Sequence, residues 1–237
     1  MNKTHRYNAI TNLFGGLAGI SLIILIHEMG HFLFAHLFGV PTPLFSIGFG
    51  PALYAFSVGQ TTFQISILPF GGYVQINEEI LTSLPYLAQM LIIFAGVLFN
   101  FIFAYAVLLY FSIRNQSTLK KTVTNTITSE ETEQLGEENR IMGPVGIINL
   151  IGKSLVINSH LFWFMLAILS LNIGLLNILP LPFFDGGKAL IITIEIIIGA
   201  KIAPNVLWLI STIMLALFFL VVTRVTINDI KQLIHRK

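Results

Sequence analysis

One apolar stretch, from Asn12 to Phe38, carries two histidines and a glutamate near its C-terminal end. It is long enough to cross a bilayer as a helix, for which about 20 apolar residues suffice. Residues four apart lie on one face of a helix, so His27 and His31 are neighbours and Glu28 lies beside them. An ionisable group costs roughly 2.5 kcal/mol or more at the membrane centre unless it is paired or ligated. The stretch therefore favours a built polar site over a chance cluster.

The order His27-Glu28-Met29-Gly30-His31 is the H-E-x-x-H spacing of zinc hydrolases. Two neutral imidazoles can hold Zn²⁺, and the adjacent Glu28 is positioned to take a proton from water at the metal. The chain has no cysteine, so any further protein ligand must be a histidine or a carboxylate. The pattern predicts metal-assisted hydrolysis with Zn²⁺ as cofactor.

Asp185 is the carboxylate that we expect as the third ligand. Pro180 and Pro182 break a helix just before it, and irregular backbone at membrane depth must line a cavity. The alternative is that Asp185 only caps a helix end. Three other histidines compete for the ligand role, and their positions argue against them: His36 faces away from the pair, His160 is near a membrane boundary and His235 is in the basic tail.

The chain of 237 residues is 55% hydrophobic and 10% charged, which indicates an integral membrane protein. We predict a membrane all-α bundle, with residues 1–237 forming one domain. A net charge of +2 gives no indication of nucleic-acid binding. The candidate transmembrane segments run approximately from Asn12 to Phe38, Leu84 to Ile113, Leu155 to Leu179 and Asn205 to Val225.

The segment from Phe32 to Asn77 contains no charged residue, yet its prolines and glycines argue against a helix. Apolar residues alternate along it, which predicts short strands with a turn near Gly59-Gln60. We expect a small membrane-embedded β-sheet or hairpin between the first and second helices. Its free edge would accept an extended substrate, the alternative being an ordinary interfacial hairpin.

The second apolar stretch contains Ala95-Gly96 and Asn100, which we interpret as helix-packing residues. The chain then becomes polar over residues 113–141, with five glutamates between Glu130 and Glu138. We expect an aqueous loop there that is too short for a separate domain.

Five segments together resemble the ordered motifs of the site-2 protease family of intramembrane zinc metalloproteases, in particular its bacterial regulated-proteolysis branch. They cover nearly the whole apolar part of the chain. The segments are His27 to His31, Pro69-Phe70-Gly71-Gly72-Tyr73-Val74, Ala95-Gly96-Val97-Leu98-Phe99-Asn100, Gly143-Pro144-Val145-Gly146-Ile147, and Asn177 to Gly187.

The resemblance implies roles for particular residues. His27, His31 and Asp185 would be the zinc ligands and Glu28 the general base. Asn177 would help to bind the substrate. The Phe63 to Val74 hairpin, with Gly71 and Gly72, would bind unwound substrate.

The resemblance also implies partners and a location. The substrate would be a membrane protein with a transmembrane helix, such as a signal-peptide remnant or a membrane-tethered regulator. The protease would be a multi-pass protein of the lipid bilayer, in the bacterial inner membrane. Close relatives carry PDZ domains between the core helices, and the loop at 113–141 has no room for one, so a separate regulatory protein could take that role.

Two questions stay open at this stage. The first is whether the chain is instead a non-proteolytic zinc-binding membrane protein, either a transporter or a pseudoprotease that holds transmembrane partners. The second is orientation. With four spans, 11 of the 13 Lys and Arg residues fall on the side of the termini, which predicts cytoplasmic termini. The resemblance implies that the termini are outside.

Overall fold

A computed structural model describes residues 3–114 and 144–235 of the chain. Two long strands follow the first helix, and the rest of the described chain is helical. The elements in chain order are α1 (Lys3–Leu37), β1 (Leu44–Val58), β2 (Thr61–Gln75), α2 (Glu78–Ser83), α3 (Tyr86–Arg114), α4 (Pro144–Ile157), α5 (Ser159–Asn177), α6 (Asp185–Ile198) and α7 (Pro204–His235).

Within the described residues, four helices are long and apolar enough to cross a membrane, so the predicted number of spans is confirmed. The third begins later than the sequence suggests. Asn158 ends the preceding helix and caps α5, its side-chain oxygen accepting a hydrogen bond from the backbone N–H of His160. The spans are Thr11–Leu37, Tyr86–Ile113, Ser159–Asn177 and Pro204–Ile227.

The sheet between α1 and α2 is also confirmed, but its strands are longer than predicted, at 15 residues each. They meet at the predicted turn, where Gly59 has a φ of +60°. Phe63 to Val74 is therefore not a hairpin by itself, since both residues lie in β2. The strands stay continuous because Gly50 and Gly71 bend them, with φ values of +91° and +75° that other residues rarely adopt.

The bends give each strand two pairing regions. Residues 44–47 of β1 pair with residues 62–65 on one side and with residues 72–75 on the other. Residues 52–58 pair with residues 61–66. The beginning of β1 is consequently internal, and residues 72–75 form an edge of the sheet.

The edge formed by residues 72–75 runs alongside α1. The backbone N–H of Gly71 points to the Ser21 hydroxyl at 3.4 Å, and the N–H of Val74 donates to Glu28 at 3.1 Å. Seven helical residues and three strand residues both span about 10 Å, so the two elements stay in step. This contact places the strand edge beside the polar site.

An aromatic cluster fixes the other side of the sheet to α1. Phe32 follows His31 directly, and its ring lies 5.5 Å from that of Phe45 and 5.6 Å from that of Phe63, centroid to centroid. Both contacts are edge-on, the arrangement that aromatic quadrupoles favour. The sheet is thus anchored one residue away from the H-E-x-x-H segment.

Small residues let the helices approach closely around α1. A side chain at Gly30 would overlap the carbonyl of Ala95 in α3. A side chain at Gly152 in α4 would overlap the backbone of Asn12. Such contacts hold membrane helices together by close packing, since lipid provides no hydrophobic driving force between them.

The helix that begins with Asp185 packs against α3 through an apolar cluster of Ile93, Ala189 and Ile192. The next two residues are glycines because the preceding loop folds onto them. A side chain at Gly186 or at Gly187 would overlap loop carbonyls. These contacts determine where the Asp185 side chain points.

The predicted polar loop at 113–141 lies almost entirely outside the described residues. The single-domain assignment for residues 1–237 stays a prediction.

We expect Gly152→Ala to lower the unfolding temperature of the detergent-solubilised protein and Gly15→Ala to leave it unchanged or raise it. Replacing glycine by alanine inside a helix favours the helix by about 1 kcal/mol, and this gain is the same in both variants. The new methyl group at residue 152 would meet rigid backbone, and overpacking of that kind costs about 1–3 kcal/mol. The methyl group at residue 15 would meet the end of the Leu155 side chain, which can move. Equal unfolding temperatures for the two variants would contradict the packing argument.

Candidate metal centre

Three side chains from α1 and α6 converge at one point between the helices. His27 and His31 are one helical turn apart, and their Nε2 atoms lie 3.1 Å from each other. Asp185 completes the triangle, with one carboxylate oxygen 3.2 Å from His27 Nε2 and the other 3.5 Å from His31 Nε2. Both histidines are buried, with 7% and 8% of their surface exposed. The structure therefore assembles the three residues that the sequence brought forward as ligands.

The size of this triangle suits one zinc ion. Zinc binds nitrogen and oxygen at about 2.0–2.2 Å in tetrahedral sites, so two ligand atoms of one ion lie about 3.3–3.6 Å apart. The two Nε2 atoms lie 3.1 Å apart, and each faces a different oxygen of Asp185, at 3.2 and 3.5 Å. With one ligand atom taken from each residue, all three atoms lie within 4.8 Å of one another. Within the described residues, His27, His31 and Asp185 form the one group of three or more such ligands that could hold a metal ion.

The hydrogen bonding of the triangle also fits a cation. Asp185 Oδ2 is near enough to His27 Nε2 for an ion pair but makes no hydrogen bond to described residues. The two atoms are close, but they lack the alignment that a hydrogen bond needs. A buried carboxylate oxygen without a donor is costly unless a cation faces it. Asp185 does not cap its own helix, since its side chain is turned toward the histidines and the cap residue is Phe184.

Gly96 of α3 leaves room for the two imidazoles. A Cβ atom there would lie 2.7 Å from His27 Nε2 and still closer to His31 Nε2. Any side chain at this position would collide with both imidazoles and force them out of place. We interpreted Gly96 as a packing residue from the sequence, and it also borders the metal position.

Each imidazole is held by its other nitrogen. The Nδ1 atom of His31 lies 3.0 Å from the backbone carbonyl of Ile92, which can only accept, so this Nδ1 carries the proton. The Nδ1 atom of His27 lies 3.3 Å from the side-chain amide of Asn100. Metal-binding histidines usually have such partners, which fix the ring orientation and the tautomer.

Glu28 lies beside the triangle and is held by the sheet. One of its carboxylate oxygens accepts the 3.1 Å hydrogen bond from the backbone N–H of Val74. Its other oxygen makes no hydrogen bond to the described part of the chain. The carboxylate is thus oriented by one oxygen and has the other available for chemistry.

The remaining sequence candidates lie outside the triangle and have other contacts. Gly71 and Gly72 are in the edge region of β2 next to α1. Asn177 is the last residue of α5, half-buried, and its side chain makes no hydrogen bond to described residues. His36 is exposed and its ring stacks on Phe32, and His160 contacts Phe111 at the start of α5.

Sequence reasoning missed three partners of the site. Two of them, the Ile92 carbonyl and the Val74 N–H, are backbone groups and leave no mark in the sequence. The third, Asn100, left a signal that we assigned to packing. It is a polar residue in an apolar helix, four residues after Gly96 and therefore on the same face.

A comparison with protein families identifies the chain as a whole. The model described as "Peptidase family M50" matches residues 15–221, which is most of the chain and includes every residue of the triangle. The chain belongs to Peptidase family M50. The resemblance drawn from the ordered motifs is thereby confirmed.

Individual relatives agree with this assignment. The chain is 25% identical to a Fusobacterium nucleatum protein named "Putative zinc metalloprotease FN1322". The alignment is 340 residues long with its gaps, and it covers 91% of this chain and 97% of the relative. A similarly named Clostridium perfringens protein is 24% identical over 325 residues, covering 90% and 97%. The chloroplastic membrane metalloprotease ARASP of Arabidopsis thaliana is 35% identical over 104 residues, covering 39% of this chain and 23% of the relative.

The family, the apolar helices and the buried ligand triangle support one conclusion. The chain is a zinc-dependent intramembrane protease. The alternative from the sequence, a zinc-binding membrane protein without protease activity, is not favoured by the family assignment.

We expect Gly96→Ala to abolish zinc binding without unfolding the protein. The methyl group would collide with both imidazole rings and displace the Nε2 atoms from their positions. Gly19→Ala is the matched control, because its methyl group would meet only side-chain ends of Leu166, Ile151 and Phe162. Bound metal is measured by elemental analysis of protein purified in detergent, with the elution volume and unfolding temperature as checks of folding. A folded Gly96→Ala protein with one zinc per chain would contradict this placement of the metal.

Proposed function

We propose that this protease hydrolyses a peptide bond in or near a transmembrane segment of a membrane protein. The observation that carries the proposal is the position of the ligand triangle, which is built on a span-length apolar helix and borders the edge of an uncharged sheet. Substrates of this class include signal-peptide remnants and membrane-tethered regulators. We also propose that a separate protein regulates the protease.

In this proposal His27, His31 and Asp185 hold the zinc ion, which supplies Lewis-acid polarisation of the carbonyl and activation of water. Glu28 is the general base. It takes a proton from the attacking water on the oxygen that Val74 does not bind, and it returns that proton to the departing amine. Its short distance along the helix from both histidines keeps the carboxylate near the reacting atoms.

The edge of β2 is the proposed substrate-binding element. A transmembrane helix satisfies its peptide groups internally, so a substrate must be unwound before its scissile bond is accessible. Adding the unwound segment to a strand edge replaces the lost hydrogen bonds. Residues 72–75 are paired with β1 on one side. On the other side no described strand pairs with them, and the Val74 N–H there is bound to Glu28 of α1. Gly71 and Gly72 belong to this edge, and Asn177 is proposed to contact the substrate from the end of α5.

The surface of the sheet is compatible with contact to lipid. Leu53, Tyr54 and Val58 are 68%, 62% and 61% exposed, in a segment without a charged residue. An apolar sheet surface of this kind is unfavourable in water. We propose the bacterial inner (cell) membrane as its location, and the bacterial sources of the Fusobacterium and Clostridium relatives support the bacterial part of this proposal.

Variants of the base and of a ligand test the roles separately. We expect Glu28→Gln to keep about one zinc per chain and to lose cleavage, since the amide cannot take up a proton. We expect Asp185→Ala to lose zinc as well. Metal content and cleavage of a panel of single-span membrane proteins are measured on the same detergent preparations. Cleavage by Glu28→Gln at the wild-type rate would overturn the assignment of the base.

Replacing Val74 tests whether the strand edge orients the base. Val74→Pro removes the N–H that Glu28 accepts, and it leaves the β1 pairing intact because this N–H points away from β1. Hydrogen bonds to charged groups contribute about 1.5–3 kcal/mol, so we expect cleavage to fall about ten- to hundredfold. Zinc content should not change. Val74→Ala keeps the N–H and is the control, and equal cleavage by both variants would contradict the orienting role.

A further inference from the structure

A buried amide lies against the metal centre from α3. Asn100 is fully buried, with 0% of its surface exposed, inside the membrane span of α3. Its side-chain amide is 3.3 Å from His27 Nδ1. A buried amide in a membrane helix is costly unless it is hydrogen-bonded, so this contact requires an explanation beyond packing.

The neighbouring histidine shows what the site requires of such a partner. The carbonyl of Ile92 accepts from Nδ1 of His31, which places the proton on Nδ1 and leaves the Nε2 lone pair toward the triangle. His27 presents its own Nε2 to the same point, 3.1 Å from that of His31. If His27 is to ligate in the same way, its Nδ1 must also carry a proton and needs an acceptor.

Asn100 can present either end of its amide to His27, because the oxygen and the NH₂ group are almost equal in size. The other end has no partner in the described part of the chain in the present orientation, in which it is the oxygen. Contacts at that end therefore favour neither orientation of the amide. The tautomer of His27 decides: an NH₂ group facing Nδ1 would move the proton to Nε2 and block the lone pair that the metal needs.

We infer that Asn100 is a positioning residue for His27, with its amide oxygen accepting a hydrogen bond from Nδ1–H and so keeping the Nε2 lone pair free for zinc. The inference rests on the proposed ligation of zinc by His27. One contact holds the backbone at Asn100, because the hydroxyl of Ser170 in α5 donates to its carbonyl at 3.0 Å. Gly96 lies one turn earlier on the same face of α3.

Two substitutions separate an acceptor from a space-filling group. Asn100→Leu keeps the approximate size and removes the acceptor, and Asn100→Asp keeps an acceptor oxygen. We expect Asn100→Leu to weaken zinc binding about 10- to 100-fold, the usual effect of losing such a partner. Asn100→Asp should bind zinc at least as tightly as wild type. Affinity is measured by competition with a zinc chelator in detergent, so no substrate is needed.

Asn172→Leu is the matched control, since Asn172 is an exposed asparagine of α5 whose side chain, among the described residues, bonds only the carbonyl of Ile168. Its zinc affinity should equal that of wild type. Wild-type affinity in a folded Asn100→Leu protein would overturn the inference. So would an Asn100→Asp protein that is weakened as much as Asn100→Leu.

A measurement on the wild-type chain covers the case in which Asn100→Leu fails to fold. With Co²⁺ in place of zinc, the imidazole N–H protons of the ligands give strongly shifted NMR signals that disappear in D₂O. We expect two such signals, one from each Nδ1–H. A single signal would show that His27 carries no proton on Nδ1 and would overturn the inference.

The proposed function and this inference fail in different ways. If His27→Ala binds zinc as tightly as wild type, the ligand set is wrong and the inference is overturned with it. If His27→Ala loses zinc and folded Asn100→Leu does not, the ligand set stands and the inference alone is overturned.

Discussion

The Nε2 atoms of His27 and His31 and the two carboxylate oxygens of Asp185 meet at contacts of 3.1 to 3.5 Å in the interior of this protein, and the rest of the fold depends on that arrangement. Such atoms repel unless a cation or a proton lies between them. The helices must hold them in place against that repulsion. Gly30 brings α1 onto the backbone of α3, and Gly186 and Gly187 seat α6 on the loop before it. Close helix packing and metal chemistry therefore use the same glycines.

The sheet has a similar double role. Phe32 anchors it to α1 just after the second histidine, and the Val74 N–H connects its edge to the carboxylate of Glu28. A sheet built only for structure would turn its edge away from solvent or partners. Here one edge contacts the Glu28 carboxylate directly, so the position of the strand and the position of that carboxylate are coupled.

Much of this could be predicted from the sequence because it depends on local spacing. The four-residue separation of His27 and His31 determines their shared face, and the lengths of the apolar runs determine the spans. The convergence of Asp185 on the pair depended instead on elimination among the possible ligands in a chain without cysteine. The predicted strand length is wrong, because glycines that allow positive φ bend a strand without ending it. The partners of the site were missed because a carbonyl or an N–H group is present in every residue and only the fold shows where it points.

The two histidines differ in whether a mutation can remove the group that contacts Nδ1. His31 is held by a backbone carbonyl, and any amino acid at position 92 supplies that group. His27 faces a side chain, so a single codon at position 100 controls its contact. Substitutions at position 92 therefore leave the hydrogen bond to His31 in place as long as α3 keeps its packing. In a lineage that no longer needs the enzyme, position 100 offers a short evolutionary route to inactivation that leaves every ligand residue unchanged.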